Sequence, residues 1–113
     1  MINLSLTKGE LFKMVKHIIL WTLKDEYSHD ERTEIKKNIK SALEGLSGKI
    51  PGLLDIKVNT DGLPSSNADL MLDSSFESAE ALKAYSVHPE HVSAADTFVR
   101  PFTKNRSCLD FEV

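Results

Sequence analysis

The stretch "VKHIILWTLK", Val15 to Lys24, constrains the fold more than any other. It is β-rich. One strand face carries Val15, His17, Ile19, Trp21 and Leu23. The other carries Lys16, Ile18, Leu20, Thr22 and Lys24. Both faces are apolar at the centre, so this strand needs cover on both sides. A chain of 113 residues fits one domain and leaves little room for two. What covers the second face is therefore the first question the sequence raises.

The remaining periodicities supply one layer of helices. Ser28 opens a helix, with Glu31 three residues on as a capping-box partner. Ile35, Ile39, Ala42, Leu43 and Leu46 follow as an apolar stripe. Gly45 and Gly48 offer ends for it, and Pro51-Gly52 turns the chain. Leu54, Ile56 and Val58 alternate with polar residues in a second strand. After the loop "TDGLPSSNA", Ala68, Leu70 and Leu72 begin a third strand that runs towards Phe76. Ser78 caps a short helix in which Ala81, Leu82 and Tyr85 share a face. Pro89 starts another, to about Phe98, with His91, Ala95 and Phe98 in line. Leu109, Phe111 and Val113 alternate with Cys108, Asp110 and Glu112 in a last strand.

The order is β-α-β-β-α-β, an α+β ferredoxin-like arrangement with helices on one face of a four-stranded sheet. That leaves Ile18 and Leu20 on a bare face, and contiguous apolar patches are rare on soluble monomers. A small domain also buries only part of its apolar surface alone. Both points predict a homodimer packed sheet to sheet.

A net charge of −3 gives no overall basic field for nucleic acid or anionic lipid. No apolar run is long enough to span a bilayer. The start lacks the pattern of a secretory signal. Cys108 is the only cysteine and has no internal partner. A cytoplasmic location is the simplest expectation. The strand pattern begins at Met14, and residues 1–13 have no clear period. Lys8-Gly9-Glu10 can be encoded by a purine-rich stretch like a ribosome-binding site. Residues 1–13 are therefore expected to be a dispensable leader or arm and 14–113 the domain.

The stretch "YSVHPEHV", Tyr85 to Val92, holds two of the four histidines and one of the two tyrosines. Pro89 ends the helix carrying Tyr85 and starts the one carrying His91. The bend predicts that Tyr85 and His91 face one pocket, with His17 opposite and His88 at the corner as a cap. Two readings of the pair stand. The phenol holds a substrate oxygen while the imidazole moves a proton, or the phenol satisfies the imidazole and locks the corner. His17 is either a core histidine bonded to backbone or a neutral imidazole facing a ligand. A zinc site from His17, His88 and His91 is the metal alternative. Pro89 turns the last two apart and no acidic residue is placed beside them, so no metal is expected. Trp21 reads as core, not a nucleic-acid stacking platform. Cys108 reads as a small strand residue, and Asp69 and Asp73 as sheet-edge or solvent groups.

Five stretches together resemble one family: "MVKHIILWTLKDE", "IPGLLDIKVNTDG", "DLMLDSSFES", "ALKAYSVHPEHV" and "CLDFEV". The chain from Met14 onward is similar to the stress-responsive A/B barrel, or Dabb, proteins. The resemblance implies a dimeric α+β barrel and no cofactor. Many members have no assigned activity, and some resemble stress-induced stable oligomers. A plant branch contains polyketide cyclases whose Y-x-x-H-P-x-H motif supplies a catalytic tyrosine and histidine, with a first-strand histidine in the same pocket. The matching positions are Tyr85, His91 and His17. The expectation is a small-molecule pocket lined by His17, Ile19, Trp21, Tyr85 and His91. The alternatives are a lyase, cyclase or isomerase using Tyr85 and His91, and a purely structural oligomer whose pocket is filled by side chains.

Overall fold

The computed structural model describes residues 13–113. The leader expected before Met14 falls, except for Lys13, outside the described residues. Strand β1 is Val15–Leu23, helix α1 His29–Glu44, β2 Leu53–Asn59 and β3 Leu70–Phe76. Helix α2 is Ala79–Ser86, α3 is Pro89–Ala94, and β4 is Thr103–Glu112. The sheet order is β2-β3-β1-β4, antiparallel throughout. This is the ferredoxin-like order, and it puts β1 in the interior.

One face of β1 is buried at Val15, Ile19, Trp21 and Leu23. Ile35, Ile39 and Leu43 of α1 join them, with Val58, Leu70, Leu72 and Phe76 of β2 and β3, in one core. Helix α1 begins with both halves of a capping box. The Ser28 side chain accepts from the Glu31 amide at 3.2 Å, and Glu31 accepts from the Ser28 amide at 2.8 Å. At its other end Glu44 and Lys40 treat the edge strand as a partner. Glu44 accepts from the Val58 amide at 2.9 Å, and Lys40 donates to the Val58 carbonyl at 2.8 Å. These side chains occupy backbone groups that an edge strand otherwise offers to another chain. Gly52 closes the turn before β2 at φ +83°, and a Cβ there would stand 2.5 Å from that of Ala81.

Two expectations need correction. The helix after Pro89 does not run as one α-helix to Phe98. It passes into a π-helical turn, Ala95–Val99. The wider turn adds a residue, so Val99 is buried and Phe98 is 39% exposed. Asp73 does not lie at a sheet edge, because β3 is interior, and Asp69 stands just ahead of that strand; both are half-buried. Asp69 accepts from the Leu23 amide at 2.8 Å and pairs with Arg32 at 3.0 Å, and Asp73 pairs with Lys16.

The other sheet face carries Leu20, Leu109 and Phe111, which are 41%, 64% and 41% exposed. Ile18 lies between them, directly opposite Leu109. Strand β4 extends past the helical cover and is exposed along nearly all its length.

Candidate functional site

Ser78 caps α2 by accepting from the Ala81 amide at 3.1 Å. Seven residues later the helix buries Tyr85, which is 1% exposed. The helix then stops, because the residue before a proline is driven out of the α region. That residue is His88, at φ −66° and ψ 132°. Its Nδ1 accepts from the Glu90 amide at 3.1 Å and caps α3. His91 follows within the first turn and faces back over Tyr85. The ring centroids are 4.1 Å apart and the planes 33° from parallel. His17 approaches Tyr85 edge-on from β1, at 6.2 Å.

The three side chains thus meet in one place, and His88 turns away. They do not satisfy one another. The Tyr85 hydroxyl and the His91 Nδ1 are buried, and neither has a hydrogen-bond partner among the described residues. The latch in which the phenol bonds the imidazole is therefore corrected: the rings stack, and both polar atoms are left free. Leaving a buried polar atom unpaired costs about 1–3 kcal/mol.

Electrostatics keep both groups neutral. Burial pushes the Tyr85 phenol well above its ordinary range. Burial lowers His91 below a free imidazole. The nearby Ser86 backbone opposes this, while Arg100, His17 and Arg106 add to it. The result is a phenol with a free proton and an imidazole with a free Nδ1.

The backbone-bonded reading of His17 is corrected. Its Nδ1 meets not backbone but the Asp110 carboxylate, at 2.5 Å. The Cys108 sulfur lies 3.4 Å from the same carboxylate oxygen and 3.8 Å from the ring nitrogen. An acidic partner is thus present after all, and Cys108 does have a neighbour. Strand register explains why Asp110 was missed: it lies directly across from His17 on β4. Alternation puts Asp110 on one face of β4, but only the pairing says what it opposes. The three donor atoms lie within 4.8 Å of one another. The nitrogen–oxygen spacing is that of a hydrogen bond, whereas zinc at about 2.0–2.2 Å from each ligand would hold them roughly 3 Å apart. Burial first, then Asp110, raises the Cys108 thiol, which keeps it protonated. The trio orients His17. The other metal set, His17, His88 and His91, is not brought together.

A cavity of about 140 Å³ opens where these groups meet. His17, Ile19, Trp21, Tyr85 and His91 all line it. Its remaining polar wall comes from Ser86, Arg100, Thr103 and Arg106, which sequence reasoning did not single out. Arg106 pairs with Trp21 across the β1–β4 ladder, so it too depends on register. A shallower groove adjoins the cavity and shares Arg106 and His17 with it.

The model of the stress-responsive A/B barrel domain matches residues 15–113. The chain belongs to the Dabb family. A dimeric ferredoxin-like protein of unknown function from Bacteroides fragilis is 33% identical, with a TM-score of 0.83. The match covers 90% of this chain and 99% of that one. A dimeric ferredoxin-like protein from Thermobifida fusca is 25% identical, with a TM-score of 0.75 over 98% and 97% of the two chains. The hydroxynitrile lyase of Passiflora edulis shares the fold, at 19% identity and a TM-score of 0.67 over 89% and 94%. No curated protein matches the sequence. As a Dabb domain the chain has the α+β sheet that periodicity predicted, and family membership assigns it no specific activity. No helix among the described residues is long and apolar enough to cross a membrane.

Proposed function

We propose that this Dabb domain is a cytoplasmic homodimer that binds a small, largely apolar molecule bearing a carbonyl or hydroxyl group. One observation carries the reading: two adjacent buried polar atoms, the Tyr85 hydroxyl and the His91 Nδ1, face a cavity and have no partner among the described residues. Buried polar groups are otherwise almost always bonded. A ligand hydroxyl satisfies both, accepting from the phenol and donating to the imidazole. A carbonyl satisfies the phenol. The cavity of about 140 Å³ bounds the size. An engineered cavity of about 150 Å³ in another protein takes up benzene, so a single ring is the natural scale. A pocket filled by side chains, as a purely structural oligomer requires, is not what this volume supports.

Homodimerisation rests on the apolar strip of half-buried Ile18 with exposed Leu20, Leu109 and Phe111, and on the dimeric relatives. Catalysis is the second reading. A neutral imidazole with a free lone pair can take a proton, and a phenol beside it can hold the oxygen on which charge develops. The lowered proton affinity of His91 keeps it in the unprotonated form that a base requires, and a lyase shares the fold. Such a step needs no cofactor.

The test is thermal unfolding with acetophenone, benzyl alcohol and toluene. The two polar compounds should raise the melting temperature and toluene should do so less. Equal effects from all three would contradict a role for the two polar atoms. No effect from any would contradict the binding reading.

A further inference from the structure

We infer that the ligand carries a carboxylate, seated against Arg106 at the rim of the cavity while its apolar body lies inside. The inference rests on the binding reading above and narrows its chemical class. The cavity wall holds two arginines and two histidines and not one aspartate or glutamate. The two arginines are not equivalent. Arg100 is engaged by Asp96. No carboxylate among the described residues pairs with Arg106.

Arg106 also borders both spaces, the enclosed cavity and the open groove beside it. Lys83 lines that groove too, so a second cation stands near the rim. Asp110 lines the groove, but its carboxylate is held by His17 and Cys108. A guanidinium presents a planar fork of donors that fits a carboxylate in two parallel hydrogen bonds. The field is felt inside as well: Arg100 and Arg106 both act against protonation of His91. An apolar chamber with a cationic rim and no internal anion suits a monocyclic or branched carboxylic acid. A neutral molecule would leave Arg106 without a carboxylate partner among the described residues.

Calorimetric titration of the full chain with benzoate, against benzyl alcohol and benzamide as neutral isosteres, tests this. Benzoate should bind at least about tenfold more tightly than either, the scale of one hydrogen-bonded charge pair. The advantage should shrink as salt is raised. Arg106→Gln should remove the preference, and Arg106→Lys should restore part of it. Arg106 is exposed, so the variants should unfold as the parent does. Equal binding of benzoate and its isosteres, or a preference that survives Arg106→Gln, would overturn the assignment while leaving the cavity reading intact. Failure of every compound to bind would remove both.

Discussion

At Tyr85 the chain keeps a buried hydroxyl that nothing among the described residues holds. Tyr85→Phe deletes that hydroxyl without breaking an internal bond. Urea unfolding should therefore show unchanged stability or a gain of up to about 1 kcal/mol. A loss of about 1 kcal/mol would reveal a partner in the native state. His91 makes a pH prediction. Its proton affinity in the fold lies below the free value of 6.5. As pH falls, the unfolded chain takes up the proton first, so stability is full above about 6.5 and declines below it. The decline ends beneath the folded pKa. His91→Gln should flatten the difference between unfolding at about pH 7.5 and at about pH 5.5. Glu44 does not intrude there. Burial would raise its pKa, but Lys40 and the Val58 amide together lower it from 4.5, so its contribution is lost only under more acid conditions. Tyr85, His91 and His17 were legible because a proline fixes local geometry and strand alternation fixes a face. Asp110 and Arg106 were not, because each owes its place to register across the β1–β4 ladder.

At the scale of elements, the local signals carried well. Ser28 and Glu31 form the capping box that their spacing predicts, and Ser78 caps α2. The first three strands lie close to where apolar alternation puts them, but Leu54 is 49% exposed beside a bulge, and β4 begins at Thr103, ahead of its alternating residues. The π-helical turn was not legible. Nothing local in Ala95–Val99 requires the extra residue, and the wider turn is what lets Val99 enter the core in place of Phe98. Asp69 failed for a related reason: its amide partner, Leu23, is on another strand. Gly52 offers the sharpest test at this scale. Gly52→Ala adds a methyl group at positive φ against the Ala81 side chain, which fixes α2 over the sheet. It should cost about 1–3 kcal/mol by urea unfolding. An unchanged midpoint would show that α2 can shift freely, and with it Tyr85.

For the whole molecule, the doubly apolar first strand remains the organising fact. One side of the sheet is closed by α1, α2 and α3. The other leaves Leu20, Leu109 and Phe111 to solvent in a single chain. Ile18→Glu or Leu109→Asp should shift sedimentation from dimer towards monomer. Leu109→Asp should do so with little loss of secondary structure, because Leu109 is 64% exposed in the single chain. A wild-type chain that sediments as a monomer at micromolar concentration would contradict the dimer. The central claim is that the cavity exists to hold a ligand through the Tyr85 hydroxyl and the His91 nitrogen. The most direct measurement is the calorimetric affinity of wild type and Tyr85→Phe for benzyl alcohol, at matched folding stability. The account predicts binding by the wild type and at least about a tenfold loss in the variant, the scale of a buried hydrogen bond whose partner is removed. Equal affinity in the two proteins, or no binding by either, would contradict it.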